Sequence, residues 1–311
     1  LEEQQPDLVH VHHWIRMSRN LVEICHDAGV PAVCTLHDLW TCCPKAFRIR
    51  DNTHCTLDVG PVNCLGCAPA GENMSDAEQQ QELALFRDDF SNELDLARRL
   101  IVPSCAHRDV LLGQMPSLRG KFRVVPHGNI SALEKSTAPH TGDFPTGPLR
   151  IAHWGHLNFF KGLDLLLEAL QGSKHKADIK LQLFGDVVYP QERPRVEELS
   201  QGLDITWHGR YEPTDLAGVP MDVAVIPSRC SESWSFVLDE AFLLGVPVIV
   251  SDRGALGERV EGGGATFAAD DSEDLRRVID GLFDEPESLD RWRGRIPALP
   301  PMPHHAESVE R

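Results

Sequence analysis

Short β-rich runs alternate with helical stretches along this chain, twice over. That alternation indicates a parallel sheet with helices on its faces. In the first half, PDLVHVHH (6–13) reads as a strand opening into a loop, RNLVEICHDAG (19–29) as a helix closed by Gly29, and PAVCTLHD (31–38) as a second strand. In MSDAEQQQELALFRDDFSNELDLARRL (74–100), Ser75 and Glu78 have the S-x-x-E spacing of a capping box, which predicts a helix starting near Ser75. LIVPS (100–104) and FRVVPHG (122–128) are two further strands, each stopped by Pro and turn residues.

The stretch 131–148 is polar and rich in Pro, Thr and Gly, and reads as an interdomain linker. The pattern then restarts. Strands are expected at 149–155, 179–186, 204–209, 221–228 and 246–252, and helices at 161–171, 233–245 and 271–286, the last capped by Ser272. At 311 residues the chain exceeds what one hydrophobic core usually serves. The expected organisation is an α/β domain over 1–130, a second over 149–290 with a ligand cleft between the two, and a tail over 291–311.

A net charge of −17 argues against nucleic acid as a partner, although a few cations and a helix N-terminus suffice for one diphosphate. No apolar run approaches the roughly 20 residues of a membrane helix. The opening LEEQQPDLVHVHH has neither the basic leader nor the apolar core of a signal peptide. The expected location is the cytoplasm, with peripheral contact at the inner membrane surface left open. Nine cysteines, an odd number, argue against a secreted disulfide scaffold. Within the loop 39–71, Cys43, Cys55, Cys64 and Cys67 end in a C-x2-C pair, a candidate four-thiolate structural zinc site. Free thiols or a disulfide are the alternatives.

The densest chemical signal is PSRCSESWSFVLDEAFLLGVPVIVSDRG (227–254), where Glu232 and Glu240 are separated by seven residues. Glu232 falls in the loop after a strand, and Glu240 falls on the helix that follows. Carboxylates accept hydrogen bonds from paired hydroxyls, as on a sugar or a ribose, and the helix N-terminus between them offers amides to a phosphate. Acids on a helix face are also ordinary surface chemistry, so this spacing alone leaves both readings open.

The stretch resembles the E-x7-E motif of family 4 glycosyltransferases, which have the GT-B fold of two facing Rossmann-like domains. IAHWGHLNFFKGLDLLLEAL (151–170) resembles the family's G-x-L-x-x-x-K-G segment. HGRYEPTDLAGVPMDVAVIPS, GALGERV, PDLVHVHH, VCTLHDLW, LIVPS and VVPHG follow the family's order of elements, so the likeness covers most of 6–280. It implies a retaining, metal-independent hexosyltransferase that moves sugar from a UDP- or GDP-sugar to a hydroxyl of a glycan, lipid or small-molecule acceptor, as in polysaccharide, glycolipid or glycoconjugate synthesis.

By the same resemblance, Lys161 would neutralise the departing diphosphate, Glu240 would hold the ribose and Glu232 would bind hydroxyls of the transferred sugar. The amides of Ser233, Trp234 and Ser235 would face the phosphates, Gly155 would let the backbone approach the donor, and His37 would lie near the reacting sugar on the acceptor side. The chain departs from the family at His156, where an arginine is usual, and at Ser235, where glycine is frequent. Family members also begin with a strand and a Gly-rich loop that have no counterpart before Leu1, and the tail resembles a closing helix cut short. The expectation is therefore a truncated chain with an incomplete first domain. The alternatives are a catalytically inactive GT-B protein that binds nucleotide-sugar or serves assembly, and a nucleotide-sugar epimerase.

Overall fold

The computed structural model describes residues 1, 3–129, 131, 133, 143–299 and 301–310, without the side chains of residues 303, 304, 306 and 310. Most of the expected linker 131–148 lies outside the described residues. The chain divides into two compact units, one of Leu1–His127 with His305–Arg311, the other of Gly128–His304.

The first unit holds a parallel four-stranded sheet of β1 (Val9–Val11), β2 (Ala32–Thr35), β5 (Arg99–Val102) and β6 (Phe122–Val124), in that spatial order. A two-stranded hairpin, β3 (Ile49–Arg50) with β4 (Thr53–His54), stands apart in the Cys-rich loop. The helices are α1 (Leu21–Asp27), α2 (Asp76–Leu96) and α3 (Cys105–Gln114). Ser75 and Glu78 form the expected capping box of α2. The α2 face carrying Phe86, Phe90 and Leu94 packs in one cluster with Val22, Cys34, Leu100 and Leu111.

One carboxylate inside this core has a defined task. Glu93, 1% exposed, accepts from the indole N–H of Trp14 at 2.7 Å and from the amides of Val22 and Glu23 at 2.8 and 2.9 Å. Two of the unpaired donors at the start of α1 are thus satisfied from a distant helix.

The zinc expectation is corrected. Among the described residues no group of three or more His, Cys, Asp or Glu could hold a metal ion, and all nine cysteines are free. Cys43, Cys55, Cys64 and Cys67 do line one narrow cavity, but an arginine ties that loop together. Arg48, 4% exposed, donates to the carbonyls of Cys55 at 3.0 Å, Leu57 at 2.8 Å and Cys42 at 3.4 Å. A buried guanidinium supplies the donors that the turning backbone needs, and its positive charge disfavours a dication beside it.

The second unit is a six-stranded parallel sheet in the order β12-β11-β10-β7-β8-β9. Its strands are β7 (Leu149–Trp154), β8 (Ile179–Phe184), β9 (Asp204–Gly209), β10 (Val223–Ile226), β11 (Val248–Ser251) and β12 (Gly264–Phe267). The central runs VAVI and VIVS are buried at every position, as strands covered on both faces must be. The helices are α4 (Leu163–Gly172), α5 (Arg193–Ser200), α6 (Phe236–Leu243), α7 (Ala255–Arg259), α8 (Ser272–Asp284) and α9 (Glu287–Arg293), while α10 (Met302–Glu310) belongs from His305 onward to the first unit. On one face, α4 brings Leu163, Leu166, Leu167 and Leu170 against Ile151, Leu181 and Ile279. On the other, α6 brings Leu238, Ala241 and Phe242 against Ala152, Trp154 and Val250. Each fully buried leucine contributes about 2 kcal/mol, so α4 is held by packing more than by its own propensity.

Three expected boundaries shift. Helix α8 is capped by Asp271, whose carboxylate accepts the Asp274 amide at 2.9 Å, and not by Ser272. Helix α6 begins at Phe236, three residues later than expected. Lys161 closes a short 3-10 turn, Phe159–Lys161, ahead of α4. Among the described residues no helix is long and apolar enough to cross a membrane.

Each unit also buries a histidine. Burial pushes His107 in the first unit and His153 in the second down to about 4 from the ordinary 6.5. His153 donates through Nδ1 to the Val225 carbonyl at 2.9 Å, since a carbonyl can only accept. The unfolded chain binds more protons than the folded one between these values. Stability is therefore full above pH 6.5 and falls as the pH drops toward 4, by up to about 1.4 kcal/mol per pH unit for each histidine. Thermal melts at pH 7 and pH 5 should show a clear drop in Tm, and equal values would refute the neutral, buried state of both rings.

Candidate functional site

The predicted donor residues gather at the carboxyl ends of β7 and β10 in the second unit. Asn158 caps the 3-10 turn by accepting the Lys161 amide at 2.8 Å, and Gly162 follows with φ +80°. A Cβ on Gly162 would lie 1.9 Å from the Pro227 carbonyl oxygen, so only glycine lets this turn rest on the end of β10. The consequence is chemical. Lys161 Nζ reaches Glu232 Oε1 at 2.6 Å, and the same oxygen accepts from the Ser228 hydroxyl at 2.8 Å. Burial alone would lower the Lys161 pKa, but the charge and hydrogen bond of Glu232 outweigh it and hold the ammonium above its ordinary value.

Glu232 is fixed from its other side by the loop before α7. The Ala255 amide donates to the Glu232 carbonyl at 2.8 Å, and a Cβ on Gly254 (φ +63°) would approach the Glu232 amide nitrogen to 2.6 Å. Behind the lysine turn, Arg229 is 8% exposed and donates to the Phe159 carbonyl at 2.8 Å and to Asp164 at 2.5 Å. Arg229 and Arg253 also share Asp270, at 3.5 and 2.6 Å. Removing one member of such a buried network strands the charges of the others.

Residues 233–235 form the turn that leads into α6. Trp234 is buried, donates through its indole N–H to Asp239 at 2.8 Å, and lies under the Arg259 guanidinium, 3.4 Å from the ring centre. Arg259 also pairs with Asp239 and donates to the Trp234 carbonyl at 2.7 Å. The Trp234 side chain is thus committed to holding the turn. Ser235 sits at φ +77°, ψ 94°, a region that side chains rarely adopt. Ser235→Gly is expected to raise stability by about 1 kcal/mol, read as a higher Tm. An unchanged or lower Tm would show that the serine is not strained there.

Glu240 stands on α6 and accepts from the indole N–H of Trp154 at 2.8 Å, next to Gly155 (φ +110°) at the end of β7. Burial raises its pKa, and the Trp154 hydrogen bond offsets part of the rise. His156 follows Gly155 and is exposed.

His37 lies in the first unit, in a column of imidazoles along the carboxyl ends of β1, β2 and β6. Ring centres are 4.1 Å apart for His10 and His12, 5.4 Å for His12 and His37, and 5.7 Å for His37 and His127. His305 of α10 extends the column at 5.5 Å from His127 and bonds the Pro126 carbonyl at 2.7 Å. His12 Nδ1 and His37 Nε2 are 3.1 Å apart, so one N–H is shared between them. Burial first, then the neighbouring His12, lowers the pKa of His37.

Sequence reading did not single out Ser228, Trp154, Arg229, Arg259 or His12. The signal for the histidines was present, since HVHH and VVPHG both place histidine directly after a strand.

The family model described as Glycosyltransferase Family 4 matches residues 1–129, and that described as Glycosyl transferases group 1 matches residues 148–285. Comparison with curated proteins returns no match. Among solved structures, the chain is similar to sucrose-phosphate synthase from Thermosynechococcus elongatus at 21% identity, with TM-score 0.66, over 99% of this chain and 73% of that one. It is similar to HepE of Anabaena, solved with UDP-glucose, at 16% identity, with TM-score 0.62, over 98% of this chain and 74% of that one. It is also similar to the lipopolysaccharide outer core galactosyltransferase WaaB at 14% identity, with TM-score 0.65, over 100% of this chain and 75% of that one.

Parallel sheets with flanking helices and these neighbours define an α/β protein of the GT-B fold. With the two family models together matching residues 1–129 and 148–285, the chain belongs to the family 4-like glycosyltransferases.

Proposed function

We propose that this chain is a retaining, metal-independent hexosyltransferase that uses a UDP- or GDP-sugar and transfers the sugar to an acceptor hydroxyl. The observation that carries the reading is the contact of Lys161 with Glu232 at the head of α6, with Glu240 farther along the same helix. Solved relatives carry UDP-glucose, or UDP with glucose, which supports a nucleotide-sugar donor.

In this reading the Lys161 ammonium and the amides of Ser233 to Ser235 receive the diphosphate, and Glu240, oriented by Trp154, accepts hydrogen bonds from the ribose. Glu232 turns from Lys161 to hydroxyls of the transferred sugar. His156 adds a second cation when protonated. The anomeric C–O bond to the phosphate breaks, the acceptor oxygen bonds to the same face of that carbon, and the acceptor proton passes to the departing diphosphate. Lys161 stabilises the charge that builds on the leaving oxygen, the kind of electrostatic term that dominates such reactions. His37 is the residue that the family resemblance puts near the reacting sugar on the acceptor side.

The test is a thermal-shift titration with UDP, GDP and ADP on the wild type and on Glu240→Ala. One nucleotide should raise Tm in the wild type and fail to do so in the variant. No shift with any of the three would sink the donor site.

A further inference from the structure

The edge of the second sheet holds a groove that the donor site does not use. Strand β9 pairs with β8 in regular parallel register until Leu183↔Trp207, after which Phe184 faces Gly209, so His208 is an extra residue on β9. Such a bulge re-aims the side chains beside it. Here the His208 ring lies flat on Phe184, 4.0 Å between centres and 3° between planes, and bonds Gln182 Oε1 at 2.8 Å. His208 is thereby held over one face of the sheet. Trp207 remains on the opposite face, the one that α5 covers, and is 43% exposed.

Between Trp207 and α5 lies a groove of 620 Å³, within the usual range of ligand pockets. Asp186, Arg193, Glu197, Ser200 and Gln201 line it beside the indole. The lining therefore joins one large apolar plate to short- and long-armed donors and acceptors. A sugar ring has the matching chemistry, with C–H groups on one face and hydroxyls around its rim. A nucleic acid strand is disfavoured by the two carboxylates and a net charge of −17. An added β-strand is disfavoured by the bulge, which breaks the ladder at that edge.

We propose that the Trp207 groove binds an oligosaccharide, holding a glycan chain outside the donor site. The choice of ligand class rests on the reading of this chain as a glycan-acting enzyme, while the groove itself does not. Isothermal titration of the full chain with maltohexaose, cellohexaose and mannohexaose tests it. At least one of the three should bind the wild type, and Trp207→Ala should weaken that binding at least tenfold while the nucleotide thermal shift is kept. Glu197→Lys, an exposed change at the groove wall, should weaken it as well. Glu240→Ala should lose the nucleotide shift and keep oligosaccharide binding, so the two readings fail separately. Absence of binding by all three hexasaccharides, or equal binding by wild type and Trp207→Ala, would overturn the proposal. Quenching of Trp207 by UDP alone, without any oligosaccharide, would instead assign the indole to the nucleotide and overturn it too.

Discussion

Lys161→Ala is expected to lower kcat on the order of 10²- to 10³-fold, with a much smaller change in KM, because in the proposed reaction the lost interaction grows as charge develops on the leaving diphosphate. The loss has two parts that a second substitution separates. Without its lysine, Glu232 keeps a carboxylate only 14% exposed and without the ion pair at 2.6 Å, beside the proposed diphosphate position. Lys161→Ala with Glu232→Gln should therefore lose less than the sum of the two single variants, a coupling that only neighbours show. If Lys161→Ala stayed within threefold of wild type in kcat, the diphosphate would have another cation as its main partner, and the proposed chemistry would fail at its centre.

Gly162→Ala should be nearly as damaging without touching a charged group. The alanine would meet a backbone with φ +80° and a carbonyl oxygen 1.9 Å from its Cβ. The first penalty is about 1 kcal/mol and the second cannot relax through a flexible side chain, because the clashing atom is the backbone carbonyl of Pro227, directly after the interior strand β10. A total of roughly 3–4 kcal/mol is expected in urea unfolding, in the range reserved for severe single substitutions. Nucleotide-dependent thermal shift should fall too, since the turn that carries Lys161 must lift from β10. Unfolding within 1 kcal/mol of wild type would mean that the turn does not rest on Pro227 as described.

What the sequence disclosed depended on how far apart the cooperating residues are. The capping box at Ser75 and Glu78 was legible because its two partners lie three residues apart and act locally. The order of strands and helices was legible for a similar reason, as periodicity is a short-range signal. Trp154 as the partner of Glu240, and Ser228 as a second donor to Glu232, were not. The first of these contacts joins residues 86 positions apart, and nothing local marks an indole as a hydrogen-bond donor rather than a core filler. The start of α6 was misjudged because Ser233 to Ser235 have helix-compatible composition. Arg259, from a different helix, holds the backbone of that turn and prevents it from entering the helix. The cysteine loop failed in the opposite way. Thiol spacing is visible in a sequence, but the burial of Arg48 among their carbonyls is a tertiary fact. Helices α3 and α5 were not expected, because neither carries a capping box, and α5 is eight residues long and mostly polar.

The Glu93 carboxylate has a consequence for how the first unit comes into being. Its oxygens complete the start of α1, which lies 71 residues earlier in the chain at Val22. On a ribosome adding about 5–20 residues per second, that interval is roughly 4–14 seconds. Throughout it, α1 exists without the acceptor that its Val22 and Glu23 amides find in the folded unit. The early segment must wait, exposed to chaperones and proteases, until α2 has been synthesised. The pace of translation over residues 24–93 thereby becomes a variable in the yield of the native protein.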